Sequence, residues 1–455
     1  MANLTRIFET LAALRTDAAR IVALRRVALI ALLLLVGVGT LISAGKSSVN
    51  DGSVVNALQL ADAFRGERVP TRADGDVQSP GYVLVLAALA VASPSTRTAL
   101  VCWRDKREGC RVSSLPLLLV AQWLAAALSV VLAFRIARRL SGTTAVAIIA
   151  ALLFYLSTRP GEFAGAVRGH VWYVLALMAF VNLLVGAVAQ RSWLRAAGAG
   201  AALGLAMQFE LAAAAILPVT VVLLMLIRTN ADVRGMAARS WPQGLAFLLG
   251  ACATAMGLLW LATANGYDPH AYVRRAALQL AQHAAFLELE RASWTAAVAT
   301  PIPWIGDFIA SVLPASEVRR IAIGAGPGSL LAHGVAVLYP EAMTRGGGSG
   351  FAALALLWSE RAMGKPLAYL ASLPPVLMRG LFAGGGLIAL IGLFHVPRML
   401  SYARAGERLA LHVIAFAPVL AMLVVNVLLT SNEFWLNPLM PFVYAYAIAY
   451  VAQGW

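Results

Sequence analysis

The segment SSVNDGSVVNALQLADAFRGERVPTRADGDVQSPGYVLVLAALA, residues 47–90, follows the first long apolar run of the chain. It carries Asp51 and Asp62, the arginines Arg65, Arg68 and Arg72, and Tyr82 just after a Ser-Pro-Gly break. Carboxylates take up protons and arginines hold phosphates, so these residue types suit acid–base work on a charged substrate. Asn50-Asp51-Gly52-Ser53 reads as a helix start, after which Val54, Ala57, Leu58, Ala61 and Phe64 recur at helical spacing. The pattern predicts an amphipathic helix on the outer membrane face, with Asp51 and Asp62 on nearly one side at the edge of its apolar stripe. A purely structural alternative makes Asp51 an N-cap, Asp62 a solvated charge and the arginines lipid-headgroup ligands.

Three later places hold further candidates. STRPGEFAGAVRGH, residues 157–170, supplies Glu162, Arg168 and His170, although a histidine at a span boundary is often merely interfacial. Glu210 sits in an otherwise apolar stretch, where an acid is costly unless it is paired or faces a polar cavity. Glu433 stands at the outer start of the last apolar run. GAGAALG, residues 198–204, fails the dinucleotide-binding spacing and reads as small-residue helix packing. The three cysteines form no metal-ligand pattern, but Cys102 and Cys110 flank a basic loop that a disulfide could close outside the cytoplasm.

The elements that must position these residues are membrane helices. Hydrophobic residues make up 60% of the 455 and charged residues 13%, leaving too little polar surface for a water-soluble chain. The net charge of +15 is gathered in short clusters beside apolar runs, the pattern of cytoplasmic loops, and nucleic acid is excluded as a partner. Apolar runs at 27–44, 115–134, 143–156, 171–189, 197–227 (long enough for two passes broken at 207–210), 244–263, 375–394, 409–429 and 436–451 give about ten crossings. The run at 82–93 is too short, and counting it as a span would move RIARRL (135–140), QRSWLR (190–195) and RTNADVRGMAAR (228–239) outside against the positive-inside bias. It therefore belongs to the first external loop as a re-entrant or interfacial helix. The expected fold is an all-α polytopic membrane protein in three parts. Residues 1–263 form an N-terminal transmembrane catalytic module that includes the external loop 45–114, residues 264–373 form a helical periplasmic subdomain, and residues 374–455 form the C-terminal transmembrane helices.

The order of one span, an external acid opening a juxtamembrane helix, the tract VPTRADGDVQSPGYVLVLAAL (69–89) and a span ending in RIARRLSG (135–142) resembles the GT-C glycosyltransferases. The branch it resembles is that of the lipid A aminoarabinose and protein O-mannosyl transferases. GLAMQFELAAAAILPVTVVLLML (204–226) is similar to that family's small-residue hairpin, and NEFWLNPLMPFVYAYAIAYVA (432–452) to its terminal span. The chain departs from the pattern where the second external loop usually holds an acid just before the fourth span, here Arg168-Gly169-His170, and where Phe434 replaces an arginine. The resemblance implies transfer of a sugar from a polyprenyl phosphate or diphosphate to an acceptor glycan, lipid or protein at the periplasmic face of a bacterial inner membrane. Asp51 would be the general base, with Glu162 or His170 assisting. Arg65, Arg68, Arg72, Tyr82, Arg168, Glu210 and Glu433 would line the donor and acceptor sites. No cofactor is certain, and a divalent Mg or Mn ion near Asp51 is conceivable. Two other functions are compatible with the pattern: an O-antigen ligase or polymerase, and a transporter or flippase.

Overall fold

A computed structural model describes residues 18–44, 51–66, 79–105, 110, 115–158, 164–165, 169–226, 241–267, 387–405, 409–429 and 439–453. These residues are helical, with no strand among them. In chain order the helices are α1 (Ala18–Ala44), α2 (Asp51–Phe64), α3 (Pro80–Ala92), α4 (Pro94–Arg104), α5 (Pro116–Ser141) and α6 (Thr144–Thr158). They continue with α7 (His170–Gln190), α8 (Trp193–Phe209), α9 (Ile216–Leu226), α10 (Trp241–Ala264), α11 (Leu387–Ala405), α12 (Leu409–Leu429) and α13 (Met440–Ala452).

Local chemistry sets several of the boundaries. Proline stands in the first turn of α3, α4, α5 and α13, where its missing N–H costs nothing. Ser93 caps α4 by accepting from the Thr96 N–H at 3.3 Å, and Ser192 caps α8 in the same way from Arg195 at 3.3 Å. Gly142 ends α5 in the left-handed region at φ 78°, which a glycine enters without a Cβ penalty. That helix runs on through Arg135–Leu140, further than the apolar run predicts, because the arginine stems are good helix formers.

The direction of each helix follows from its contacts. Arg139 near the end of α5 donates to Asn182 in the second half of α7, whereas a Cβ on Gly169, just before α7, would lie 3.2 Å from Tyr82 on α3. Gly186 of α7 faces Arg195 at the start of α8, and Gly169 faces Phe209 at its end, so α7 and α8 form an antiparallel hairpin. The small residues of 198–204 then let α8 approach α10 closely. Gly200 lies against the Phe247 backbone, and a Cβ on Gly204 would meet the Thr254 side chain at 3.1 Å. The two helices run in the same sense, because Ala197 meets Gly250 and Gln208 donates to the Ala255 carbonyl at 3.2 Å. Between them α9 runs back, its Met225 meeting Gly244 at the start of α10. The 197–227 run thus forms two antiparallel helices, broken at Glu210, where the backbone is extended and a 3-10 turn over Leu211–Ala215 follows.

In the C-terminal group Thr143 donates to Gln453 at the end of α13 (2.7 Å), and His412 early in α12 shares a hydrogen bond with Tyr446 (2.9 Å). The Gly142 turn, the Arg191–Ser192 turn, the flanks of 227–240 and the end of α13 therefore share one end of the bundle, called the arginine end below. The start of α3, the start of α7 and the end of α8 lie at the other, the Tyr82 end.

The buried core contains Phe134, Phe154, Tyr173, Phe180, Phe247, Phe442, Tyr444 and Tyr446. Among the described residues three helices are long and apolar enough to cross a membrane, Pro116–Ser141, His170–Gln190 and Pro242–Ala264. The last exposes Leu249, Met256 and Trp260 at 61, 69 and 70%, a surface that hydrocarbon solvates and water does not. The molecule is a membrane protein. At 13 residues α3 extends about 20 Å, short of the hydrocarbon thickness. The stripe of α2 differs in one respect from an interfacial helix: Val54, Ala57, Leu58 and Ala61 are 0–3% exposed, packed within the protein instead of facing lipid. Most of the 264–373 region lies outside the described residues.

Candidate functional site

The first turns of α2 and α3 open the site. The two helices pack along one another in the same sense, because the Arg65 guanidinium at the end of α2 donates to the Ala90 (3.1 Å) and Val91 (3.4 Å) carbonyls at the end of α3. Asp62 of α2 also binds Arg97 of α4 at 2.6 Å, so the side chain expected to be a solvated charge ties the two helices together. Nearly equal in length, α2 and α3 start near one another, with Asp51 opening α2 and Tyr82 in the first turn of α3. The Asp51 side chain itself lies outside the described residues.

Glycines let three backbones converge here. A Cβ on Gly81 would lie 3.0 Å from the Gln208 Cβ and 3.1 Å from its carbonyl, and one on Gly169 would lie 3.2 Å from Tyr82 and 3.6 Å from Phe209. Pro80-Gly81 thus presses the start of α3 onto the end of α8, and Gly169 presses the start of α7 onto both. Tyr82, His170 and Glu210, predicted from three distant parts of the sequence, come to this one junction.

Their surroundings differ. Tyr82 is 2% exposed, and its hydroxyl has no hydrogen-bond partner among the described residues. Burial holds its phenol well above the usual tyrosine range, so at neutral pH it is a proton donor and never a base. His170 is buried as the first residue of α7. Glu210 is half-buried at the break after α8, its N–H donating to Ala206 (2.9 Å) and its carbonyl accepting from Ala213 (3.1 Å). Arg65, expected to touch substrate, spends its guanidinium on the α3 carbonyls and so also closes that helix. Glu162, Arg68, Arg72, Arg168 and Glu433 lie outside the described residues.

The sequence reading missed Gln208 and Trp172. The Gln208 amide donates to α10, while its Oε1 is buried without a partner among the described residues, as is the Trp172 indole N–H. Gln208 lies inside the predicted 207–210 break and was legible as a polar group in an apolar span; Trp172 offers no such signal. Near the end of α4, Cys102 is joined to Cys110 by a disulfide with their Cα atoms 6.1 Å apart. Among the described residues no three His, Cys, Asp or Glu side chains gather as metal ligands.

No protein-family model matches the chain, and no curated protein matches it. Among solved structures it is similar to the apo form of the oligosaccharyltransferase of Archaeoglobus fulgidus, at 11% identity and a TM-score of 0.48. The likeness covers 93% of this chain and 50% of that one, so this chain spans half the length of that protein.

Proposed function

We propose that the chain is a glycosyltransferase of the GT-C type, moving a sugar from a polyprenyl-phosphate or -diphosphate donor to an acceptor hydroxyl at the periplasmic face of a bacterial inner membrane. The observation that supports this reading is the junction at which the starts of α3 and α7 meet the end of α8, with α2 packed along α3, at the opposite end of the bundle from the arginines. Positive charge marks the cytoplasmic side and disulfides persist outside it, so both features support an external site at the Tyr82 end.

In this reading the acceptor oxygen attacks the anomeric carbon, the carbon–oxygen bond to the lipid phosphate breaks, and the acceptor proton passes to the Asp51 carboxylate. The leaving phosphate gains negative charge, which the Tyr82 phenol and His170 stabilise as donors from a buried position. Gln208 and Glu210 hold sugar hydroxyls. Acceptors are a glycan, a lipid or a protein hydroxyl.

The test incubates purified full-length protein with a panel of polyprenyl-phosphate sugars and measures release of the lipid phosphate. Asp51→Asn is expected to lower the rate by about 10²- to 10⁴-fold. Asparagine caps a helix as well as aspartate does, so folding should be kept. Full activity in Asp51→Asn would remove the proposed base.

A further inference from the structure

We propose that the arginine end of the bundle holds a second site, where Arg139 of α5 and Arg195 of α8 bind a phosphate-bearing anion against α7. The Arg139 Nη1 donates to the Asn182 carbonyl at 2.6 Å and to its side-chain Oδ1 at 3.0 Å, which fixes the guanidinium while leaving its other N–H groups to donate elsewhere. The Arg195 Nη1 is buried and has no hydrogen-bond partner among the described residues. Gly186 makes room for the pair: a Cβ there would lie 3.0 Å from the Arg139 Nη1 and 3.2 Å from the Arg195 Nη1, so both tips pack against that one glycine. Arg135, one turn before Arg139, adds a third charge that repels it, as Arg195 does.

Among the described residues no carboxylate is paired with these charges. The sequences of α5, α7 and α8 contain no Asp or Glu. The ion pairs found among the described residues, Arg97 with Asp62 and Arg104 with Asp105, belong to α2 and α4. The C-terminal dipoles of α5 and α7 each offer about half a negative charge, and the N-terminus of α8 takes part of that back. Three like charges, one with a buried unpartnered N–H, call for an anion. Arginine favours phosphate, whose oxygens match its fork of donors. The phosphate is that of an anionic lipid headgroup or of a soluble phosphate.

The experiment uses the full chain, delipidated in a neutral detergent and observed by native mass spectrometry with phosphatidylglycerol or phosphatidylcholine. Wild type and Arg104→Gln, a surface change on α4, should retain phosphatidylglycerol about tenfold better than phosphatidylcholine, and the Arg139→Gln/Arg195→Gln variant should lose that preference. Added inorganic phosphate that displaces the lipid assigns the site to soluble phosphate, and persistence of the lipid assigns it to the headgroup; either result supports the site. Equal retention of the two lipids by wild type overturns the proposal, as does undiminished preference in the double variant. Should the double variant not fold, Arg195→Gln replaces it with the same two outcomes.

Discussion

Tyr82 shows what burial does to one functional group. Its hydroxyl sits in the first turn of α3 with no partner among the described residues, so deleting it removes no internal hydrogen bond. Tyr82→Phe should therefore leave thermal stability unchanged or raise it by up to about 1 kcal/mol in calorimetry. The same substitution should slow transfer if the phenol donates to the leaving phosphate. Because the folded state holds the proton more tightly than the unfolded chain, the contribution of Tyr82 to stability is present below its ordinary pKa of 10.0 and is lost as pH rises above it. The free energy of unfolding measured across that range should fall more steeply with rising pH for wild type than for Tyr82→Phe.

Among the elements, α8 and α10 are held together by the absence of side chains. Gly200 and Gly250 press directly on the facing backbone, where dispersion between closely packed helices replaces the hydrophobic effect that lipid cannot supply. Gly200→Leu should force α8 away from α10, at a cost of about 1–3 kcal/mol or more, and shift the protein from monodisperse to aggregated in size-exclusion chromatography. The polar link from α2 to α4 is of another kind. Arg97 and Asp62 keep 31% and 25% of their side-chain surface exposed, so water screens the pair. Asp62→Asn should destabilise by less than about 1 kcal/mol in denaturant titration. The buried apolar stripe of α2, not this bridge, holds the first-loop helices to one another, and α3 carries their contact to α8 and α10.

At the scale of the whole molecule the two ends differ in charge and in redox chemistry. Thiol labelling should modify Cys252, which is free and on the lipid-facing side of α10, only after the protein is unfolded in detergent, while Cys102 and Cys110 stay blocked until a reductant is added. Closing so short a loop contributes about 2–3 kcal/mol in the chain-entropy account, so reduction should lower the unfolding midpoint measurably. Single cysteines placed at Gly142 and at Ser79, the residue before α3, in a background lacking the native three should react with an impermeant reagent from opposite sides of sealed vesicles. Labelling of both from one side would refute the arrangement of the ends.

Composition determined the solvent: a chain this apolar and this poor in charge has to fold in lipid, and hydropathy places its helices because lipid leaves every backbone polar group to be satisfied within the chain. Local signals carried a good deal further. The helix start at Asp51, the shortness of the run at 82–93, the break at Glu210 and the small-residue face of 198–204 each depend on residues close in sequence. What local patterns could not contain is which distant segments meet. Only the tertiary structure buries the α2 stripe in protein, pairs Asp62 with Arg97, turns Arg65 onto the end of α3 and sets Tyr82 beside Gly169 and Phe209. Helix α4 escaped notice for a related reason. Its sequence, PSTRTALVCWR, is polar on average, and packing against α2 and α3 with a proline start and a serine cap makes it a helix. Contacts between residues far apart in the chain depend on how helices pack, and packing is a property of shapes in three dimensions that no single window of sequence records.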